Sequence, residues 1–304
     1  MPKELTHWIV AEQTAANLPE GSRLSLIISG HHEMYLAGAV LPDTLLHLFS
    51  GPYAPVALAL ADSFHDSNDN SYNPLIRVNE QFPEGLPPNI LACLLGVISH
   101  IQADIVFHPF VYAVSGANGM ASHYRLETMI DVCLLQSGAI PPVRHLSELF
   151  IPQVREHLIE VLSLLFDPEN KLPVDVVSRS LHLHCHYQAM YDNLFWQTAA
   201  PILGSLPIHR FRRQQHLFYP LNLFGKKYEL ENEGKWCCPV TGNQRQETLK
   251  DLVTTVVQRT QILFGLIKKY DSLKTALTVE PGENLLTGLY GITKSAMRRP
   301  VDIL

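Results

Sequence analysis

The sequence is short of charge. Asp, Glu, Lys and Arg together make up 17% of its 304 residues, whereas about a quarter is usual in globular proteins. This shortage predicts that much of the chain is buried. The formal net charge is −6 and no basic tract stands out, which disfavours duplex nucleic acid as a partner. Bound cations supply positive charge that composition omits, so a metal enzyme acting on phosphodiesters stays open.

Cysteine motifs, a leader and a membrane span are also missing. The odd number of cysteines, five, includes no CxxC pair, so we predict no disulfide framework and a cytoplasmic location. The N-terminus MPKELTHWIVAEQ lacks the features of a secretory signal, although a leader removed earlier would indicate secretion. The longest apolar stretch, 91–107, is interrupted by His100, Gln102 and Asp104. It falls short of the roughly 18 residues of a membrane span, so we predict no transmembrane segment.

Motifs for covalent catalysis and for nucleotide binding are absent as well. The sequence contains no G-x-S-x-G, and SGANGM at 115–120 lacks the pattern of a phosphate-binding P-loop. We therefore predict neither a serine nucleophile nor a P-loop.

The apolar residues of the sequence recur mostly with the periodicity of an α-helix. We predict an all-α fold of one domain, 1–304, with a metal-binding core at 1–140 and a C-terminal helical part at 141–304. A long loop is predicted at 66–88 and irregular structure at 203–244; the best strand candidate is RLSLII at 23–28. The predicted helices span 5–17, 31–40, 88–108 (ending at Pro109), 121–136, 145–166, 174–197, 245–271 and 281–294.

An apolar run, LLGVISHIQADIVFHP at 94–109, carries three polar residues at intervals of four: His100, Asp104 and His108. In a helix this interval places all three side chains on one face. Burying an imidazole or a carboxylate is costly unless it finds a partner. Two imidazoles and one carboxylate form a ligand set that divalent zinc accepts.

Further candidate ligands surround this helix in the sequence. SHYRLE repeats the four-residue spacing, and FHDSND, LPD and THWIV each add one residue beside a predicted helix. One zinc normally takes three or four protein ligands, so eight candidates predict two or three metals. The eight are His7, Asp43, His65, His100, Asp104, His108, His123 and Glu127.

Each of these signals has a simpler interpretation when taken alone. A single His on an apolar helix is usually a hydrogen-bonded core residue, and His–Asp or His–Glu pairs at i, i+4 are common on surfaces. The combination favours metal binding. By contrast, His182, His184, Cys185 and His186 spread around the axis of a predicted helix, which disfavours a shared metal there.

These blocks, in this order, resemble the zinc-dependent phospholipase C family. HHEMYLAGAVLPD, FHDSND and LLGVISHIQADIVFHP are similar to the catalytic domain of glycosylphosphatidylinositol-specific phospholipase D, and HWIV and SHYRLE also fit the bacterial phosphatidylcholine-hydrolysing enzymes. Nucleases of the S1/P1 type share this architecture. The resemblance covers residues 7 to about 130 and implies an all-α, multi-helix bundle around a multinuclear zinc site.

Three metal sites follow from the resemblance. It implies one zinc at Asp43, His65, His100 and Asp104, and a second zinc at His108, His123 and Glu127. It places a third at His7, with Asp104 bridging. In secreted relatives this third zinc also binds the processed N-terminal residue, but nothing marks Met1 or Pro2 as such a ligand.

The resemblance implies hydrolysis of a phosphodiester, with a phospholipid headgroup as the expected substrate. We expect Asp43 to act as a metal ligand and to accept a proton from the attacking water. Trp8, Phe64 and Tyr72 flank ligands and are candidates for the substrate pocket, with core packing as the alternative. Two other functions stay open: an S1/P1-like nuclease or nucleotidase, and a non-catalytic zinc-stabilised helical protein. Structural zinc sites are usually closed and rich in cysteine, which disfavours the last.

Overall fold

The structure, a computed structural model, describes residues 3–116, 119–206, 209–230 and 234–298. Helices make up most of these ranges, which confirms the all-α class. Short 3-10 segments occur at Leu41–His47, Leu146–Leu149, Gln215–Leu217 and Lys294–Ala296, and a small antiparallel hairpin pairs Trp236–Cys237 with Gln244–Arg245. The helices are α1 Glu4–Ala16, α2 Arg23–Gly30, α3 His32–Gly38, α4 Ala54–His65, α5 Asn73–Glu80, α6 Pro88–Ser115, α7 Met120–Gln136, α8 Pro152–Phe166, α9 Val174–Tyr191, α10 Leu194–Ser205, α11 His209–Gln214, α12 Leu249–Tyr270 and α13 Leu273–Val279.

Helix α6 is the central element. It packs against α1, α2, α3, α7 and α12. By length and composition α6 is apolar enough to cross a membrane, but 94% of its most apolar stretch is buried inside the protein. Burial among neighbouring helices accounts for this hydropathy.

The predicted end of this helix at Pro109 is wrong, because α6 continues to Ser115. A proline inside a helix removes one N–H donor and crowds the carbonyl four residues earlier, which here belongs to Ile105. The Ile105 carbonyl and the Pro109 ring both lie against Gly288, whose φ is +65°. Packing of this turn against the helix outweighs the local preference to stop.

Two glycines allow α3 and α6 to cross with their backbones in contact. A Cβ at Gly38 would overlap the Cys93 carbonyl, and a Cβ at Gly96 would overlap the Tyr35 carbonyl. The crossing also brings the carbonyl of Ala39, the residue after α3, close to the helix face that carries the candidate ligands.

The best strand candidate, 23–28, is not a strand, because these residues begin helix α2. The Ser22 side chain caps it by accepting a hydrogen bond from the Ser25 N–H at 3.3 Å, as expected for a serine at this position. Leu24 and Ile28 lie one turn apart and are both buried. The helical spacing of the buried residues therefore decides the structure of this segment, rather than its short alternation of polar and apolar residues.

Two other predicted segments hold more helix than expected. The loop at 66–88 contains α5, which starts beside a proline and buries Leu75 and Val78 against the core. The irregular stretch at 203–244 holds the end of α10, and α11, in its described part.

Asparagine and proline side chains interrupt three of the predicted helices. The helix at 145–166 is a 3-10 turn followed by α8, which starts at Pro152. The helix at 174–197 is broken where Asn193 caps α10 through the N–H groups of Phe195 and Trp196. The helix at 281–294 is instead a series of turns, in which Asn284 accepts hydrogen bonds from two backbone N–H groups.

The main apolar core draws on both predicted parts of the chain. One continuous cluster includes Trp8 of α1, Leu94 of α6, Leu158 of α8 and Phe264 of α12. The division into a core at 1–140 and a helical part at 141–304 within one domain stays a prediction.

Candidate metal centre

The eight candidate ligands converge on one buried centre, although they come from five segments. Helix α1 supplies one, the 3-10 segment one, the end of α4 one, α6 three and α7 two. Their donor atoms fall into three groups, and within each group they lie within 4.8 Å of one another. The groups are His7, Asp43 and His100; His65, His100 and Asp104; and His108, His123 and Glu127.

Asp104 lies in the middle and faces different residues with its two oxygens. Asp104 Oδ2 is 3.3 Å from His100 Nε2 and 3.9 Å from His65 Nε2. Asp104 Oδ1 is 3.6 Å from His7 Nε2 and 3.9 Å from His108 Nδ1. A carboxylate with this arrangement is suited to bridge two cations.

The remaining candidates complete the two sides of the centre. Asp43 Oδ1 is 3.4 Å from His65 Nε2 and 3.9 Å from His100 Nε2. On the other side, His123 Nε2 is 2.7 Å from Glu127 Oε1, as their spacing of one helical turn predicts.

Backbone carbonyls fix the orientation of three histidines. The Nδ1–H of His65 donates to Ala61 O at 2.8 Å, that of His100 to Ala39 O at 2.9 Å, and that of His108 to Leu285 O at 2.8 Å. A carbonyl accepts only, so the proton lies on Nδ1 and the lone pair on Nε2. This tautomer is the one that metal-binding histidines adopt with such partners.

Several buried atoms of the centre have no hydrogen-bond partner within the described ranges. They include both nitrogens of His7, Nε2 of His65 and His100, and both oxygens of Asp104. Buried polar atoms left unpaired are costly and rare in native proteins. Each of these side chains can offer an electron pair, His7 through one of its two nitrogens, so the residues fit a set of bound cations.

Burial and neighbouring charges shift the pKa values of the centre. Burial disfavours the ionised form of Asp104, but His100 and His108 more than offset it and hold its pKa below the ordinary range. Burial and the neighbouring His100 lower the pKa of His7 well below its usual value. His7 is therefore neutral at pH 7, as a metal ligand must be.

The three aromatic candidates for the substrate pocket are buried. Trp8 is 0% exposed and its Nε1–H donates to Leu36 O at 2.9 Å. Tyr72 is 1% exposed and its hydroxyl contacts the side-chain amide of Gln102. Phe64 packs on Phe166, with its ring centre 4.8 Å away. This burial favours core packing; a role in substrate binding stays a prediction.

In secreted relatives the N-terminal residue is a ligand of the third metal. The corresponding residues of this sequence, Met1 and Pro2, lie outside the described residues. His7, the side chain expected to share a metal with such a ligand, stacks on His100 with ring centres 4.1 Å apart.

A comparison with known families agrees with this geometry. The family model described as zinc-dependent phospholipase C matches residues 6–167, which contain all eight candidate ligands. No curated protein and no solved structure matches the chain. The match spans more than half of the sequence, and the chain belongs to the zinc-dependent phospholipase C family.

Proposed function

We propose that the protein hydrolyses phosphodiester bonds of phospholipid headgroups with two or three zinc ions. One zinc is assigned to Asp43, His65, His100 and Asp104, a second to His108, His123 and Glu127, and a third to His7 with Asp104. The observation that carries the proposal is the position of Asp104, whose two oxygens face different histidines, Oδ1 facing His7 and Oδ2 facing His100.

Asp43 is proposed to accept the proton of the attacking water. Bound zinc lowers the pKa of water to about 7 and neutralises charge on a phosphoryl oxygen. The side chain of Asp43 is 11% exposed, more than that of His65 at 7%, which supports this role. Burial opposes its ionisation, but His100 and His65 lower its pKa below the ordinary value. Asp43 is therefore ionised at pH 7 and able to receive a proton.

The main test combines metal content with substrate choice. We expect protein produced with ample zinc to contain at least two zinc ions per chain by elemental analysis. It should hydrolyse a phosphocholine ester and leave single-stranded DNA intact. Less than one zinc per chain would contradict the metal assignment. Cleavage of DNA without cleavage of the ester would favour the nuclease alternative.

An uncharged exposed helix supports a lipid substrate. Helix α10, LFWQTAAPILGS, contains no charged residue, and Leu194, Phe195 and Ile202 are each 66–70% exposed. Helix α10 contacts α11, on which Arg212 and Arg213 are exposed. Helix α11 in turn contacts α7, the helix that carries two of the candidate zinc ligands. Apolar residues beside arginines suit the surface of an anionic bilayer. We propose that this face holds the enzyme at such a membrane.

Sedimentation with lipid vesicles tests this attachment. The protein should bind vesicles of phosphatidylcholine mixed with phosphatidylglycerol, and F195E and I202E should each weaken binding about tenfold or more, because each buried apolar side chain contributes roughly 1.5–3 kcal/mol. The matched control is I262E, which changes an equally exposed isoleucine on α12. Equal binding of all four proteins would contradict the proposal.

A further inference from the structure

A second group of ligand-type side chains lies beside the metal centre and outside the eight candidates. Glu4 comes from the first turn of α1, His47 from the end of the 3-10 segment and His184 from the middle of α9. Their donor atoms lie within 4.8 Å of one another. The His184 Nε2 is 3.6 Å from Glu4 Oε1, and the two imidazoles stack with ring centres 4.1 Å apart.

Two buried atoms of this group are left unpaired. His184 is 0% exposed, and its Nε2 has no hydrogen-bond partner among residues 3–116, 119–206, 209–230 and 234–298. Glu4 is 7% exposed, and its Oε2 likewise finds none in these ranges. Isolated burial of a carboxylate and an imidazole nitrogen is costly, and a bound cation would satisfy both atoms.

The rings are anchored as in the main centre. The Nδ1–H of His47 donates to Asp43 O at 3.1 Å, which leaves the lone pair on Nε2. On the other ring, His184 Nδ1 lies 3.1 Å from the Thr44 hydroxyl. Polar partners on the far nitrogen are what orients a metal-binding imidazole.

We propose that Glu4, His47 and His184 bind a divalent transition metal, with zinc as the expected ion, at a site separate from the eight-ligand centre. Two histidines and one glutamate form a common three-ligand zinc set that leaves a fourth position open. His47 is half-buried and gives solvent a path to that position. The inference is independent of the proposed function, and His184 lies beyond residue 167, where the family match ends.

The site would hold the 3-10 segment in place. His47 and Thr44 both belong to the segment that carries Asp43, and α9 packs against it. A metal joining His47 to α1 and α9 would therefore clamp this segment between two helices. The bound ion would thereby help to hold Asp43 in position.

The decisive comparison is metal content in variants of α9. H184Q should lose one metal equivalent per chain and keep its helical circular dichroism. H182Q and H186Q change exposed histidines on the same helix and should lose none. Because H184Q changes a buried residue, H47Q provides a second test at a half-buried one and should lose the same single equivalent.

The alternative is a buried Glu–His pair without metal, in which His184 Nε2–H points at the Glu4 carboxylate. In that case H184Q and H47Q, folded as judged by circular dichroism, would retain every equivalent, and the proposal would be overturned. Failure of the main centre is distinguished by D104N, which should release metal there and still retain the one equivalent held by Glu4, His47 and His184.

Discussion

Replacing Asp104 by Asn should release at least two zinc ions per chain and lower phosphodiesterase activity by about a hundredfold to a thousandfold, as for loss of a preorganised charged group. The carboxylate faces His100 and His65 with one oxygen and His7 and His108 with the other. An amide has nearly the same shape but carries no charge and offers only one acceptor oxygen. Both sides of the centre therefore lose a ligand at once, while the packing of α6 is retained.

Glu127→Gln is the matched control for this experiment. It makes the same chemical change on α7, where Glu127 lies 2.7 Å from His123 and is grouped with His108 and His123. We expect it to remove a single zinc, so elemental analysis of the two variants should differ by at least one equivalent. Loss of one equivalent or fewer from D104N would place Asp104 in a single site. If D104N kept its full metal content and full activity, the polar face of α6 would be a set of hydrogen-bonded residues that bind no metal.

The second large effect is expected at the crossing of α3 and α6. Gly96→Ala should lower the free energy of unfolding by about 3 kcal/mol or more, at the upper end for overpacked sites. Its Cβ would overlap the Tyr35 carbonyl, which is backbone and cannot rotate away. The helices must separate, and the Ala39 carbonyl then moves away from the His100 Nδ1–H. Zinc affinity should fall together with stability.

Gly265→Ala is the control for the crossing. Gly265 lies in α12, and a Cβ there meets no atom of the described structure within 4 Å. Alanine is the better helix former, so this variant should gain about 0.5–1 kcal/mol. Both values can be measured by urea unfolding of the zinc-loaded protein. A Gly96→Ala protein as stable as the unchanged protein would show that α3 and α6 do not cross as closely as described.

Local spacing made most of the metal centre predictable. His100, Asp104 and His108 share a face because their spacing is fixed by the helix itself, and the same holds for His123 and Glu127. Their backbone acceptors, Ala39 O and Leu285 O, could not be predicted. Every residue has a carbonyl, so only the fold decides which of them meets a histidine.

The group of Glu4, His47 and His184 also shows that distant partners cannot be predicted from local sequence. The spacing of His182, His184 and His186 disfavours one metal shared among them, and the structure has His182 and His186 exposed and His184 buried. Partners for His184 come from residues 4 and 47, which no local pattern connects to α9. The helix predicted at 281–294 is wrong for a related reason, because the Asn284 side chain accepts from the Leu286 N–H and donates to Asp66.

The hydrogen bond from His108 to the Leu285 carbonyl joins residues 177 positions apart in the sequence. It can therefore form only after Leu285 has been synthesised. His108 leaves the ribosome long before Leu285 has been translated, and until then its ring has no acceptor to hold it. Partners of this kind contribute about tenfold to a hundredfold to metal affinity. A nascent chain stopped before Leu285 should therefore hold zinc weakly at this ligand, so that tight loading of the centre waits until Leu285 has been translated.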